Sequence, residues 1–233
     1  MAGRPTPRGA PLRAERVAAG TWRLPLRGVN AYALEAEEGP ILVDAGNPGD
    51  APRIVGMLAG AGLAAPRAVL LTHGDGDHAG GVRALLRAGD LDVWAPAVEA
   101  EVLAGRGRPR AMRRLGRLFT GRIRCDRALT AGQVVAGLRV VASPGHTPGH
   151  CSFLREADGV LFTGDALSTR AGEVFIPRQP FTEDWANAHA SLLRLADLHP
   201  RLLLPGHGEP LRDPGEALAR ACEREQTPSR GSR

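Results

Sequence analysis

Short apolar runs, punctuated by glycine and proline, alternate along the first half of the chain with segments whose apolar residues recur at helical spacing. From 17 to 34 the runs are brief and separated by turn signals, which predicts hairpins, with Asn30, Tyr32 and Leu34 on the first inner strand. Pro40, Ile41, Leu42 and Val43 predict a buried strand, followed by Asp44, Ala45 and Gly46. Asp50 is placed to cap a helix with Pro52 in its first turn. Ile54, Met57, Leu58 and Ala61 keep helical spacing, and Gly62 suits the stop. Val69, Leu70 and Leu71 predict the end of another buried strand. Val82, Leu85 and Leu86 predict a helix ending near Gly89, and residues 92–95 the next strand. Strand and helix in alternation predict a layered α/β half.

Residues 105–124 differ: eight arginines fall there, while Met112, Leu115, Leu118 and Phe119 fit one helical face. From 129 to 163 the pattern returns to short strands, with turns at Ala136-Gly137 and Asp158-Gly159. Residues 183–199 predict a helix with Trp185, Ala188, Leu192 and Leu195 on one side. Residues 201–204 predict a last strand and 214–225 a final helix. With no internal repeat or linker, residues 16–225 are expected to form one domain. The Pro- and Arg-rich residues 1–15 and residues 226–233 are expected to be disordered tails.

Composition narrows the class. The 233 residues are enough for one domain with a substantial core. No apolar run approaches the roughly 18 residues that span a bilayer, and the first residues lack the apolar segment of a secretory signal. Three cysteines, Cys125, Cys151 and Cys222, have no metal-like spacing and read as reduced thiols of a cytoplasmic protein. The net charge of +5 comes from a chain without lysine, in which arginine follows composition. That weakens any inference from arginine count to nucleic-acid binding. The arginines at 113, 114 and 117 have two readings: a solvated helix surface, or a cap presenting cations to an anionic substrate.

The candidate chemistry begins where the apolar run 69–71 ends. His73, Asp75, Asp77 and His78 follow Thr72 and are spaced by Gly74 and Gly76, glycines that allow tight turns and sit where side chains would crowd. Four groups with lone pairs within six residues can converge on one or two cations. Three later stretches add more: SPGHTPGH at 143–150, LFTGDA at 161–166 and LPGHG at 204–208.

In order and content these motifs resemble the metallo-β-lactamase superfamily of metal-dependent hydrolases, from about Asn30 to Gly208. The family pattern is His-x-His-x-Asp-His, then a His, an Asp and a last His. The resemblance implies a four-layer αβ/βα sandwich with metals at one edge of its two sheets. It implies that His73 and His146 bind a first metal together with position 75. Asp77, His78 and His207 would bind a second, and Asp165 would bridge both. Asp77 is the catalytic residue it implies, and Asp44 and His150 would support the ligands from behind. His189 and His199 receive no function.

This chain departs from the pattern at Asp75, where the family usually has its second His. A carboxylate oxygen lies as many bonds from Cβ as the near ring nitrogen of His, so Asp75 can ligate without moving the loop. A third carboxylate beside Asp77 and Asp165 makes the centre a weaker electrophile. The two divalent ions, zinc by the family pattern, can then also be manganese or iron. The alternative is that Asp75 turns away and the first metal is weakly held.

The expected activity is hydrolysis of a small ester, thioester or lactone by a hydroxide held between the metals. An Asp at 165 resembles the glyoxalase II and lactonase branches. Only 25 residues follow Gly208, little room for the helical domain with which glyoxalase II enzymes hold a glutathione thioester. The expected partner is a small-molecule substrate, with neither nucleic acid nor membrane. Three other readings remain: a phosphodiesterase or nuclease of the same superfamily, a mono-iron oxidoreductase, and a binding protein with a degenerate site.

Overall fold

The computed structural model describes residues 13–107, 120–178 and 180–226. The opening hairpins form as expected. Strands β1 (Glu15–Ala18), β2 (Thr21–Pro25) and β3 (Asn30–Leu34) pair antiparallel in turn, and β4 (Ile41–Val43) pairs antiparallel to β3. The sheet then becomes parallel through β5 (Ala68–Leu70), β6 (Asp92–Pro96) and β7 (Arg127–Leu129). The crossovers carry α1 (Ala51–Gly60), α2 (Gly76–Ala79), α3 (Val82–Ala88) and α4 (Ala97–Leu103).

A second sheet holds β8 (Val134–Val135), β9 (Leu138–Ala142), β10 (Cys151–Arg155), β11 (Val160–Gly164), β14 (Leu202–Pro205) and β15 (Leu211–Arg212). Its order is β15-β14-β11-β10-β9-β8. The β11–β14 pair is parallel, with α5 (Trp185–Ala196) in the crossover. A separate hairpin, β12 (Ser168–Arg170) with β13 (Glu173–Phe175), precedes α5, and α6 (Gly215–Gln226) ends the described chain.

Side-chain alternation along the strands explains why the sheets stack. In β4, Ile41 and Val43 face the second sheet while Leu42 packs against Ile54 and Leu58 of α1. In β14, Leu202 and Leu204 face the first sheet while Leu203 packs with Leu192 and Leu195 of α5. Between the sheets lie Tyr32, Leu70, Trp94, Phe153 and Phe162. Helices cover the outer faces, giving four layers: α1, α3 and α4, then two sheets, then α5 and α6.

Several expectations need correction. Asp50 precedes α1, but its carboxylate accepts from Asn47 N and Arg53 Nη1 instead of capping the helix. Helix α4 and the β12–β13 hairpin have no clear periodic signal; α4 is only about two turns long and rich in alanine, glutamate and valine. β1 starts at Glu15 and α6 runs through Gln226, each one residue into an expected tail. Arg113, Arg114 and Arg117, and the apolar face at 112–119, lie outside the described residues. No helix among the described residues is long and apolar enough to cross a membrane.

Candidate metal centre

The clustered side chains sit just past the carboxyl ends of strands, where open α/β sheets leave a crevice. Asp44 follows β4, residues 73–78 follow β5, His146 follows β9, Asp165 follows β11 and His207 follows β14. The two sheets therefore aim their strand ends at one place.

Two groups form there. One ligand atom each from Asp77, His78, Asp165 and His207 lie within 4.8 Å of one another, and so do those of His73, Asp75 and His146. In the first group, His207 Nε2 is 3.3 Å from both Asp77 Oδ2 and Asp165 Oδ2, and His78 Nε2 is 3.1 Å from Asp165 Oδ1. In the second, Asp75 Oδ2 is 3.1 Å from His146 Nε2 and 3.6 Å from His73 Nε2. Asp165 Oδ2 lies 3.6 Å from His146 Nε2, so this one carboxylate reaches both groups. Asp75 is brought to its group, not turned away.

Hydrogen bonds behind the cluster fix the imidazole tautomers. His78 Nδ1 donates to Asp44 Oδ2 at 2.8 Å, and His207 Nδ1 donates to Gly28 O at 2.7 Å. Thr72 Oγ1 gives its proton to Asp44 at 2.8 Å, so at 3.0 Å from His73 Nδ1 it can only accept. In all three rings Nδ1–H is engaged and Nε2 faces the cluster, the orientation that metal ligation uses. Asp44 itself is held at φ 61, a left-handed conformation few side chains tolerate.

His150 belongs to this rear layer as well. Its Nε2 accepts from Asp165 N at 3.0 Å, so Nδ1 carries the proton and meets Ser143 Oγ at 2.9 Å. Burial, then the neighbouring His73 and His146, push its pKa well below the usual histidine range, in keeping with a neutral ring. Glycines give the room: a Cβ at Gly206 would lie 2.5 Å from Asp165 Oδ1 and 2.6 Å from His78 Cε1. The His207 loop is seated by the other sheet, where Asn30 Nδ2 donates to Pro205 O and Gly208 O and Tyr32 Oη donates to Pro205 O.

The donor set fits cations. His73 Nε2, His78 Nε2 and Asp165 Oδ1 face the cluster and are buried without a hydrogen-bond partner, a costly state for polar atoms. The close His78 Nε2 and Asp165 Oδ1 are thus neighbours without being aligned as donor and acceptor. The electrostatics agree. Burial alone would lower His207, yet hydrogen bonds with Asp165 and Asp77 raise it to about 10. Burial alone would lower His78, yet the Asp165 and Asp44 carboxylates raise it well above the usual range. Burial opposes ionisation of Asp165, and the charge on His78 and hydrogen bonding to His207 overcome it, holding the carboxyl well below the usual range. The carboxylates thus favour positive charge at the centre, the kind a bound cation brings.

Sequence reasoning missed two contributors. Thr72 relays Asp44 to His73, and nothing in its spacing marks it. Glu99, on α4, is wholly buried and accepts from Gly74 N, Thr147 Oγ1 and Gly149 N. A lone glutamate in a short helix has no distinguishing pattern.

A four-layer sandwich with paired His/Asp groups at its sheet edge defines the class: a metallo-hydrolase scaffold. The chain belongs to the metallo-beta-lactamase superfamily, whose model matches residues 24–207. It is 33% identical to the probable metallo-hydrolase YflN of Bacillus subtilis, with 83% of this chain and 86% of that one covered. Over 52% of this chain and 40% of the relative it is 36% identical to hydroxyacylglutathione hydrolase of Alkalilimnicola ehrlichii. The solved structure of TTHA1623 in a di-iron-bound form matches with TM-score 0.66 and 33% identity, covering 83% of this chain and 93% of that one.

Proposed function

We propose that this metallo-hydrolase cleaves a small ester, thioester or lactone at a two-metal centre. The observation that carries the reading is the set of buried, unpartnered lone pairs converging from both sheets. His73, Asp75 and His146 would hold the first ion, Asp77, His78 and His207 the second, and Asp165 both. When bound, the ions supply activation of a water molecule and polarisation of the scissile carbonyl. Asp77 is the least buried carboxylate of the set, at 38% side-chain exposure, so it faces arriving substrate. We assign it the uptake of a proton from the attacking water.

A relative named for a thioester substrate, hydroxyacylglutathione, supports the substrate class. A di-iron neighbour and a carboxylate at position 75 support iron or manganese beside zinc. Cysteine chemistry has no support. Burial pushes the Cys151 thiol up to about 12 and the Cys125 thiol up to about 11, so both are neutral near pH 7. Three free cysteines support a reducing, cytoplasmic setting.

The test is metal analysis of the isolated protein beside a panel of ester, thioester, lactone and phosphodiester substrates. Two ions per chain, with carboxylic substrates turned over and Asp77→Ala inactive, are expected. Turnover of phosphodiesters alone would overturn the substrate class. A single iron without hydrolysis would favour an oxidoreductase, and no tightly held metal a binding protein.

A further inference from the structure

We propose that Glu99 is a positioning residue for the first metal position, clamping the loop of His73 and Asp75 to the loop of His146. The inference rests on the metal-centre reading above. The three ligands of that position come from two loops in different sheets, one after β5 and one after β9. Their relative placement therefore depends on whatever spans the gap between the loops.

The wholly buried Glu99 carboxylate spans it. Oε2 accepts from Gly74 N at 2.9 Å, between His73 and Asp75. Oε1 accepts from Thr147 Oγ1 at 2.8 Å, next to His146, and from Gly149 N at 3.1 Å, next to His150. Both backbone donors are glycines, which leaves room for the close approach, most tightly at Gly149. A Cβ at Gly74 would lie 3.1 Å from Oε2, and one at Gly149 would lie 2.8 Å from Oε1. Hydrogen bonds to an ionised acceptor are shorter and stronger than neutral ones, which suits a carboxylate acting as a brace. One backbone bond, Cys151 N to Thr72 O at 3.1 Å, joins the same loops further back. Glu99 reaches the residues flanking the ligands.

The second position does not use this brace. His78 leans on Asp44, His207 leans on Gly28, and the His207 loop is seated by Asn30 and Tyr32. Loss of Glu99 should thus separate the two positions, whereas a general loss of fold would weaken both.

The experiment titrates metal-free full-length protein with zinc against a chromophoric chelator, for wild type, Glu99→Ala and Glu99→Gln. His146→Ala and His207→Ala identify which equivalent belongs to which position. Wild type should take two equivalents. Glu99→Ala should weaken the equivalent that His146→Ala removes by about tenfold to a hundredfold, the range found when groups behind metal ligands are lost. The equivalent that His207→Ala removes should stay within about threefold, since its supports do not include Glu99. Glu99→Gln keeps one accepting oxygen but sets an amide against a backbone N–H, so its loss should be smaller and on the same equivalent. This variant carries the test if Glu99→Ala does not fold. Parallel weakening of both equivalents, or no weakening of either, would overturn the clamp. Wild type taking fewer than two equivalents would overturn the two-metal reading itself, independently of the variants.

Discussion

Asp44 and His78 lie 2.8 Å apart between Oδ2 and Nδ1, and the same carboxylate holds Thr72 and, through it, His73. One buried anion thereby orients a histidine in each metal group. Asp44→Asn can keep the left-handed backbone at φ 61, because Asn tolerates that region better than most residues. Its charge and one acceptor are lost. Zinc affinity should fall by about tenfold to a hundredfold, measured by chelator competition, with the circular dichroism spectrum unchanged. Unchanged affinity would show that Asp44 does not tune the histidines.

Asp75 departs from the family pattern yet sits 3.1 Å from His146 Nε2. Asp75→His should preserve the fold and shift preference towards zinc over manganese, since imidazole suits zinc better than a carboxylate does. Asp75→Ala should empty the first position while the Asp77–His78–His207 position stays filled. Metal stoichiometry after dialysis against a weak chelator decides the matter. Wild-type occupancy and activity in Asp75→Ala would mean that Asp75 is not a ligand.

Asn30 joins the first sheet to the His207 loop through two donated hydrogen bonds, of 3.0 and 2.8 Å. Its Oδ1 accepts from Arg23 Nε at 2.8 Å. Asn30→Ala would leave buried partners unsatisfied, at a cost of about 1–3 kcal/mol. Denaturant titration should show that loss, and the second metal should dissociate faster. An unchanged unfolding midpoint and an unchanged off-rate would remove Asn30 from the support of the site.

Phe153 is completely buried between the sheets. Phe153→Ala should destabilise by about 3–5 kcal/mol through lost transfer energy and a cavity. Equilibrium unfolding in urea measures this, and a loss below about 1 kcal/mol would mean that the gap between the sheets closes readily.

If no cysteine takes part in the chemistry, iodoacetamide at neutral pH should leave hydrolysis intact. With Cys151 at about 12, only roughly one molecule in a hundred thousand carries its thiolate at pH 7. Rapid inactivation that substrate prevents would contradict this.

Strand and helix periods made most of the framework legible. Ile41–Val43, Val82–Ala88 and Leu202–Pro205 lie where apolar spacing predicts them, because each buries a face that the sequence marks with unbroken or periodic hydrophobicity. The histidine and aspartate motifs predicted what the strand ends gather. Less visible was whatever depends on contact between distant segments. Thr72, Glu99 and Asn30 act through hydrogen bonds to residues 25 to 178 positions away, and neither spacing nor composition encodes such partners. Asp50 shows the converse: a good capping residue spends its carboxylate on Asn47 of the preceding turn and on the Arg53 side chain of α1.

The division of the centre between two sheets has a consequence for synthesis. A ribosome delivers residues 73–78 long before His207, which follows the last long strand of the second sheet. The emerging first half carries His73, Asp75, Asp77 and His78 but completes neither group, because His146, Asp165 and His207 have yet to arrive. Only the group of Asp77, His78, Asp165 and His207 waits for the end of β14, so it is the last to be assembled, when β14 docks beside β11.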